Sequence, residues 1–317
     1  MRGKIALWLD LKWGQGHKSA SLTQELVPLL GGSHLPAKIL FGILTLLPSR
    51  VRSSGRRPFT PAKFLGSYVR LGSEWRQGVM RSLILASGFG TRLYALGITK
   101  AKGLIEYKGK PLVSHIVEKI PKDFQVLLNT NKRFEADFRR WQNTVERTVT
   151  LCIEPVFTEN ESLGAVGSLN YWIKMKDIRD DLLVIASDNF FEFSLQRFVE
   201  AYDGRHALVA VYSGAKVTES DKYGIVRLNG RRIVSFAEKP VGPASGYIAT
   251  ACYILPSRIY PVIREYCSQG KRDNLGNFVA HLVSTDEVHA YAFSDLWFDI
   301  GDPEVFRLIQ KKGDLRK

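Results

Sequence analysis

From Met80 onward the chain alternates short apolar runs with amphipathic stretches, the order of a doubly wound, Rossmann-like, mostly parallel α/β sheet. Residues 81–86, 104–107, 124–129, 149–153, 182–186 and 207–212 are bounded by polar or turn residues and read as strands. Between them the spacing predicts helices over 114–120, 133–142, 164–174 and 195–202; in the second, Phe134, Phe138 and Trp141 share one face. Past Tyr212 the pattern changes to shorter strands, 224–228, 233–237 and 247–255, which read as elements added to the core sheet. Before Met80 periodicity is confined to two short pieces, 21–30 and 37–47, among isolated prolines and glycines. The expected division is a poorly ordered extension over 1–79, or a start at Met80 itself, followed by one domain over 80–317.

The first strand runs into Ser87-Gly88-Phe89-Gly90-Thr91-Arg92. A buried parallel strand that ends in glycines opens onto the crevice where α/β sheets bind ligands. Glycines let backbone N–H groups approach phosphate oxygens, and Arg92 with the later Lys102 supplies positive charge. Nucleoside triphosphate is the ligand this chemistry suits. A tight turn carrying a surface arginine is the plainer reading. No Gly-Lys-Ser/Thr follows, so the loop is not a Walker loop, and a dinucleotide fingerprint would need a third glycine.

Two carboxylates stand out. Asp188 closes the apolar run 182–188, where a strand-end carboxylate can either ligate a hard cation or cap its own turn. Asp299 lies in Trp297-Phe298-Asp299-Ile300-Gly301-Asp302-Pro303-Glu304. There Asp302 and Pro303 already suffice to start a helix, leaving Asp299 without a structural duty. The six histidines, His17, His34, His115, His206, His281 and His289, show neither metal spacing nor a triad, and read as ordinary surface or core residues.

Charge changes the picture in one place. Residues 1–79 hold 12 Lys+Arg against 3 Asp+Glu, while the remainder holds 33 against 28. The basic excess therefore sits mainly outside the chemistry-bearing part, and nucleic-acid binding, if any, belongs to the extension. Three cysteines make no C-x-x-C pair, which suits a reducing cytoplasm. No run of about 18 uncharged apolar residues suggests a membrane span.

Gly88-Phe89-Gly90-Thr91-Arg92-Leu93 followed by Lys102 resembles the opening motif of the sugar-phosphate nucleotidyltransferases, and the likeness extends over roughly residues 80–310. The chain departs from the usual form at Ser87, at Ala101 and Gly103 around the lysine, and at Ala249, where many members carry Asn. Glu154-Pro155, with an insertion over 158–162, stands where members carry Gln-Pro. The resemblance implies a Mg²⁺-dependent enzyme that transfers NMP from an NTP to a sugar 1-phosphate and releases pyrophosphate. It implies Arg92, Lys102 and Asp188 as catalytic residues and Ser87, Gly88, Gly90, Thr91 and Gly164 as nucleotide contacts. Gly224, Glu238 and Lys239, in segments similar to the family's Tyr-Gly and Glu-Lys-Pro motifs, would hold the sugar phosphate, and Asp188 with Asp299 the metal. Such a reaction needs no general base, since a phosphate monoester with a second pKa near about 6 is largely dianionic at neutral pH. Cytidylyl transfer to phosphocholine or inositol phosphate is the alternative within enzymes, and a catalytically silent regulatory paralogue the alternative outside them. The base, the sugar and any homo-oligomeric state stay open.

Overall fold

The computed structural model describes residues 80–213, 220–241, 246–311 and 315–316. The extension expected over 1–79 lies outside the described residues. The first apolar run forms β1 (Arg81–Leu85), followed by the short β2 (Glu106–Tyr107) and β3 (Lys110–Pro111). Then come β4 (Gln125–Asn131), β5 (Val149–Glu154), β6 (Leu182–Ala186), β7 (Asn189–Phe191) and β8 (Ala207–Tyr212). β9 (Gly224–Asn229), β10 (Arg232–Glu238), β11 (Tyr247–Leu255), β12 (Val288–Phe293) and β13 (Trp297–Asp299) complete the main set.

Nine strands make one sheet in the order β5-β4-β1-β6-β11-β8-β12-β10-β9. β5, β4, β1 and β6 are parallel neighbours, as are β8 and β12. Alternation along the strands sends Leu83, Leu127 and Val184 to one face and Ile84, Leu128 and Ile185 to the other. Helices Ala165–Met175, Tyr260–Ser268 and Leu275–Thr285 cover the first face through Leu169, Trp172, Ile263 and Phe278. Helices Leu112–Lys119, Glu135–Gln142 and Leu195–Glu200 cover the second through Val113, Ile116, Phe138, Trp141 and Phe198. Each such side chain contributes about 1.5–3 kcal/mol when fully buried, so a sheet apolar on both faces needs a helical layer on each.

Two features differ from the sequence pattern. Tyr247–Leu255, expected among the short added strands, is a nine-residue strand inside the sheet, antiparallel to both β6 and β8. Its residues Ile248, Cys252 and Ile254 pack on one face and Tyr253 and Leu255 on the other, which makes its apolar run nearly continuous. The helices Tyr260–Ser268 and Leu275–Thr285, with β12, were not singled out by the pattern. Leu275, Phe278, Val279 and Leu282 do carry helical spacing, masked by Gly276 near the helix start.

A third cluster of Leu93, Ile105, Tyr107, Phe190, Ile300 and Phe306 lies under the loops that leave the sheet. The Phe190 ring stacks on Phe298 with centroids 5.1 Å apart, and Tyr107 meets Phe190 edge-on at 4.6 Å. This small core holds together segments far apart in sequence: the 91–107 loops, β7 and the start of helix Pro303–Lys311.

Candidate active site

The two carboxylates meet. β7 and β13 pair antiparallel with Asp299 opposite Asn189, the residue after Asp188. The pairing is fixed by Trp297, whose indole Nε1 donates to the buried Asn189 Oδ1 at 2.8 Å, and by the Ile300 amide, which donates to the Asp188 carbonyl at 2.9 Å. Lys102 Nζ lies 3.0 Å from Asp188 Oδ2, the two side chains being 17% and 22% exposed. A Cβ built on Gly301 would stand 2.9 Å from Asp299 Oδ1, 2.9 Å from Lys102 Nζ and 3.3 Å from Asp188 Oδ2. Three charged groups thus surround one small space that only a glycine leaves open.

The electrostatics follow from that crowding. Burial, then the neighbouring Asp188, pushes the Asp299 carboxyl up to about 7. Burial would raise Asp188 as well, but the Lys102 ammonium holds it below the usual carboxylate range. Lys102 is raised in turn, chiefly by Asp188. Arg92, exposed on the adjoining loop, adds positive charge felt by both Lys102 and Asp299. The two carboxylates crowd one another, as the raised Asp299 shows, and a cation between them would relieve that crowding.

Lys102 is held without flanking prolines. Ala101 is buried, and Gly103 packs so tightly on Ser187 that a Cβ there would come within 2.8 Å of the Ser187 Cβ. Close packing thus holds the Lys102 segment against Ser187.

The glycine loop is backed by polar residues that the sequence pattern did not single out. Asn129 Oδ1 accepts from the Ala86 amide at 2.9 Å, and its Nδ2 donates to Ser87 Oγ and to Glu154 Oε1 at 3.2 and 2.6 Å. Asn131 Nδ2 donates to the Ser87 carbonyl at 2.8 Å. Ser87 and Ser168 hydroxyls lie 3.3 Å apart, and Trp172 donates to Glu154. Glu154 is only 1% exposed, and burial raises its carboxyl despite these donors. Gly88 has open space where a side chain would go, and Gly90 takes a left-handed conformation with φ +69°. Thr91 donates to Glu159 of the 158–162 insertion, which brings that insertion over the loop. Gly164, also left-handed, makes its close approach to the Arg272 carbonyl, and the 272–273 carbonyls accept the amides of residues 165–167.

Gly224, Glu238 and Lys239, expected to hold the sugar phosphate, sit on the β9–β10 hairpin or directly after it. Glu238 pairs with Gly224, and Gly224 also pairs with Ala249 of β11. Cys252 of β11 pairs with Ile185 of β6, so Ala249 and Asp188 lie toward the same end of the sheet. Glu238 Oε1 accepts from Asn274 at 2.9 Å, and its Oε2 fills the space that a side chain on Gly276 would need. Asn274 and Gly276 are further residues that spacing alone did not bring out. Lys239 is exposed and holds φ +47°, a region a lysine seldom occupies, while its amide donates to the Tyr223 carbonyl. Such strain, of order 1–3 kcal/mol, persists where surrounding structure enforces it and is frequent at ligand sites.

The family model for nucleotidyl transferases matches residues 81–313, a span that holds Arg92, Lys102, Asp188, Glu238 and Asp299. The chain belongs to the nucleotidyl transferase family. Among curated members, it is 29% identical over 238 residues to a mannose-1-phosphate guanyltransferase of Schizosaccharomyces pombe, covering 71% of this chain and 62% of that one. A mannose-1-phosphate guanyltransferase of Debaryomyces hansenii is 28% identical over 247 residues, with 72% and 62% covered. The chain therefore spans about 62% of the length of these relatives. Among solved structures, the inositol-1-phosphate CTP transferase of T. maritima shares the fold with a TM-score of 0.59 at 20% identity, over 74% of this chain and 97% of that one. Within the family fold, no described helix is long and apolar enough to cross a membrane.

Proposed function

We propose that the chain transfers NMP from a nucleoside triphosphate to a sugar 1-phosphate, releasing pyrophosphate. The observation that carries this reading is the convergence of Lys102, Asp188 and Asp299 on the space beside Gly301. The reaction joins two polyanions, so catalysis rests on holding them in line and offsetting charge on the leaving group.

The donor set around that space fits Mg²⁺: the nearest side-chain acceptors are carboxylate oxygens of Asp299 and Asp188, and a Cβ would fill the opening. Asp188 and Asp299 would hold the ion, which when bound would offset charge on the triphosphate and on the departing pyrophosphate. Arg92 and Lys102 would grip the triphosphate oxygens, with the amides around Gly88 and Gly90 and the Thr91 hydroxyl alongside. Ser87, pinned by Asn129 and Asn131, would keep that loop in place. Gly164 would serve the nucleotide side by keeping the 162–167 turn tight against Arg272. Across the crevice Lys239 would contact the acceptor phosphate, Glu238 would accept from sugar hydroxyls, and Gly224 would leave room for the ring. The attacking oxygen belongs to a dianion and gives up no proton, so the reaction needs no general base.

The curated relatives are named for mannose 1-phosphate and guanyl transfer, which makes GTP with mannose 1-phosphate the first pair to assay. Ala249, in place of a common sugar-hydroxyl contact, keeps cytidylyl transfer to inositol phosphate as a second reading, as does the fold shared with the T. maritima enzyme. Pyrophosphate release should be measured with each common NTP against mannose, glucose and N-acetylglucosamine 1-phosphates and inositol phosphate. Mg²⁺-dependent turnover with one sugar 1-phosphate is expected. Turnover only with inositol phosphate would replace the first reading by the second, and no turnover with any pair would overturn both. We also propose a cytoplasmic enzyme whose domain runs from about Met80 to the C-terminus, with residues 1–79 as an extension.

A further inference from the structure

The histidines show no metal spacing along the chain, yet the fold brings two of them to one aspartate. Asp203 lies in the loop after helix Leu195–Glu200, His206 immediately precedes β8, and His289 is the second residue of β12. β8 and β12 pair in parallel with His289 opposite Leu208. Asp203 Oδ1 is used by its own loop, accepting from the Arg205 and His206 amides at 2.9 and 2.8 Å. Its Oδ2 lies 2.7 Å from Nδ1 of His206 and 3.2 Å from Nδ1 of His289. The two histidine side chains are 17% and 15% exposed.

The His289 ring supplies a second clue. Its Nε2 lies 2.8 Å from Glu287 Oε1, and a carboxylate there keeps the ring proton on Nε2. Nδ1 is then a bare lone pair, closed to solvent and without a hydrogen-bond partner, beside a carboxylate oxygen. Two lone-pair atoms at that distance repel unless a second ring proton or a metal cation lies between them, and the present geometry makes no Nδ1 hydrogen bond. Two imidazole nitrogens, one carboxylate oxygen and a second carboxylate orienting one ring make a donor set suited to a borderline divalent cation. In a tetrahedral Zn²⁺ site, bonds of about 2.0–2.1 Å put ligand atoms about 3.3 Å apart. The three ligand atoms here lie within 4.8 Å of one another, so small side-chain adjustments suffice.

We propose that Asp203, His206 and His289 bind a divalent cation of the Zn²⁺ class, with water at the fourth position and Glu287 orienting His289. Ligation by His206 Nδ1 moves the single proton of the neutral ring to Nε2. Ile254 of β11 pairs with both Leu208 of β8 and Leu183 of β6, so this cluster is level with the start of β6, whereas Asp188 follows its end. The ion would therefore fasten the starts of β8 and β12 at the end of the sheet away from the crevice. Its charge is set against Arg232, which pairs with His289, and is favoured by Glu287; the nearby Asp286 is engaged by Arg258 at 2.6 Å.

The test uses the full chain, loaded with Zn²⁺, dialysed against excess Mg²⁺ to clear oxygen-only sites, and measured for retained zinc. About one Zn²⁺ per chain is expected, with a thermal transition raised relative to metal-free protein. His206→Gln with His289→Asn should lose the ion, whereas Cys267→Ser should keep it. Asp203→Asn, which preserves the Oδ1 turn and so the loop, should weaken binding at least roughly tenfold. Glu287→Gln should weaken it by about tenfold or more while the fold stays intact by circular dichroism. Mg²⁺-dependent turnover of the double histidine variant should match that of wild type. Zinc retained equally by wild type and the double variant, or by neither, would overturn the proposal.

Discussion

The two sides of the crevice are built differently. On the side proposed to hold the nucleotide, the loop 86–92 rests on a buried polar net in which Asn129, Asn131, Glu154 and Ser168 are each at most 1% exposed. On the side proposed to hold the acceptor, Glu238 and Lys239 stand at the end of a hairpin, one tucked between glycines and the other exposed with a strained backbone. A side held by buried hydrogen bonds couples ligand binding to stability. A side made of surface groups can change its ligand at little cost to the fold.

The largest effect should fall on turnover. Arg92→Ala removes an exposed charge that no described contact needs for folding, so pyrophosphate release should drop by about 10²- to 10³-fold with an unchanged thermal transition. A drop of less than about threefold would remove Arg92 from the phosphate site.

The contrast between the two sides is sharpened by a pair of variants. Glu154→Met takes one of two acceptors from the Asn129 amide and leaves the Trp172 indole without its acceptor, and should cost about 1–3 kcal/mol while raising KM for the NTP. Glu238→Gln should raise KM for the acceptor and leave the unfolding temperature alone, since a glutamine oxygen still accepts from Asn274. Equal losses of stability in the two variants would erase the distinction.

A smaller effect concerns pH. In the metal-free chain Asp299 titrates at about 7 against an ordinary value of 3.8, so between these pH values the folded state holds a proton that the unfolded chain has lost. Stability contributed by this group therefore falls as pH rises from about 4 to about 7 and is level above that. Asp299→Asn should melt several degrees higher than wild type at pH 8 in EDTA, and the gap should close near pH 4. Equal melting temperatures at pH 8 would mean that the carboxylate pair is not crowded. The smallest effect is expected at Lys239→Gly, which relieves a left-handed lysine and should leave stability equal or higher by about 1 kcal/mol while weakening acceptor binding.

The difference between the two sides also explains what the sequence made legible. Gly88, Gly90, Arg92, Lys102, Asp188 and Asp299 sit in short local motifs whose chemistry depends on neighbours in the chain, so they could be picked out by reading along it. The pairing of Asp188 with Asp299 depends on Trp297 reaching Asn189 across more than a hundred residues, which no local spacing reveals. The polar net behind Ser87 is drawn from β4, β5 and helix Ala165–Met175, and each of its residues alone reads as an ordinary strand or helix position. The same holds for Asn274 and Gly276 around Glu238, and for His206 and His289, brought together only by parallel pairing of β8 with β12. Fold class was visible because apolar periodicity is a local property. The placement of β11 inside the sheet was not, because a strand buried on both faces looks the same whether its neighbours are parallel or antiparallel.

The most direct test of the shared-cation site is a crystal of the chain grown with NTP and Mn²⁺, with the ion located by its anomalous signal. The account expects a peak beside Gly301, bonded to Asp188 and Asp299 together and to triphosphate oxygens, with Lys102 on the same phosphates. A Mn²⁺ bound to the triphosphate alone, with either carboxylate turned away, would contradict it.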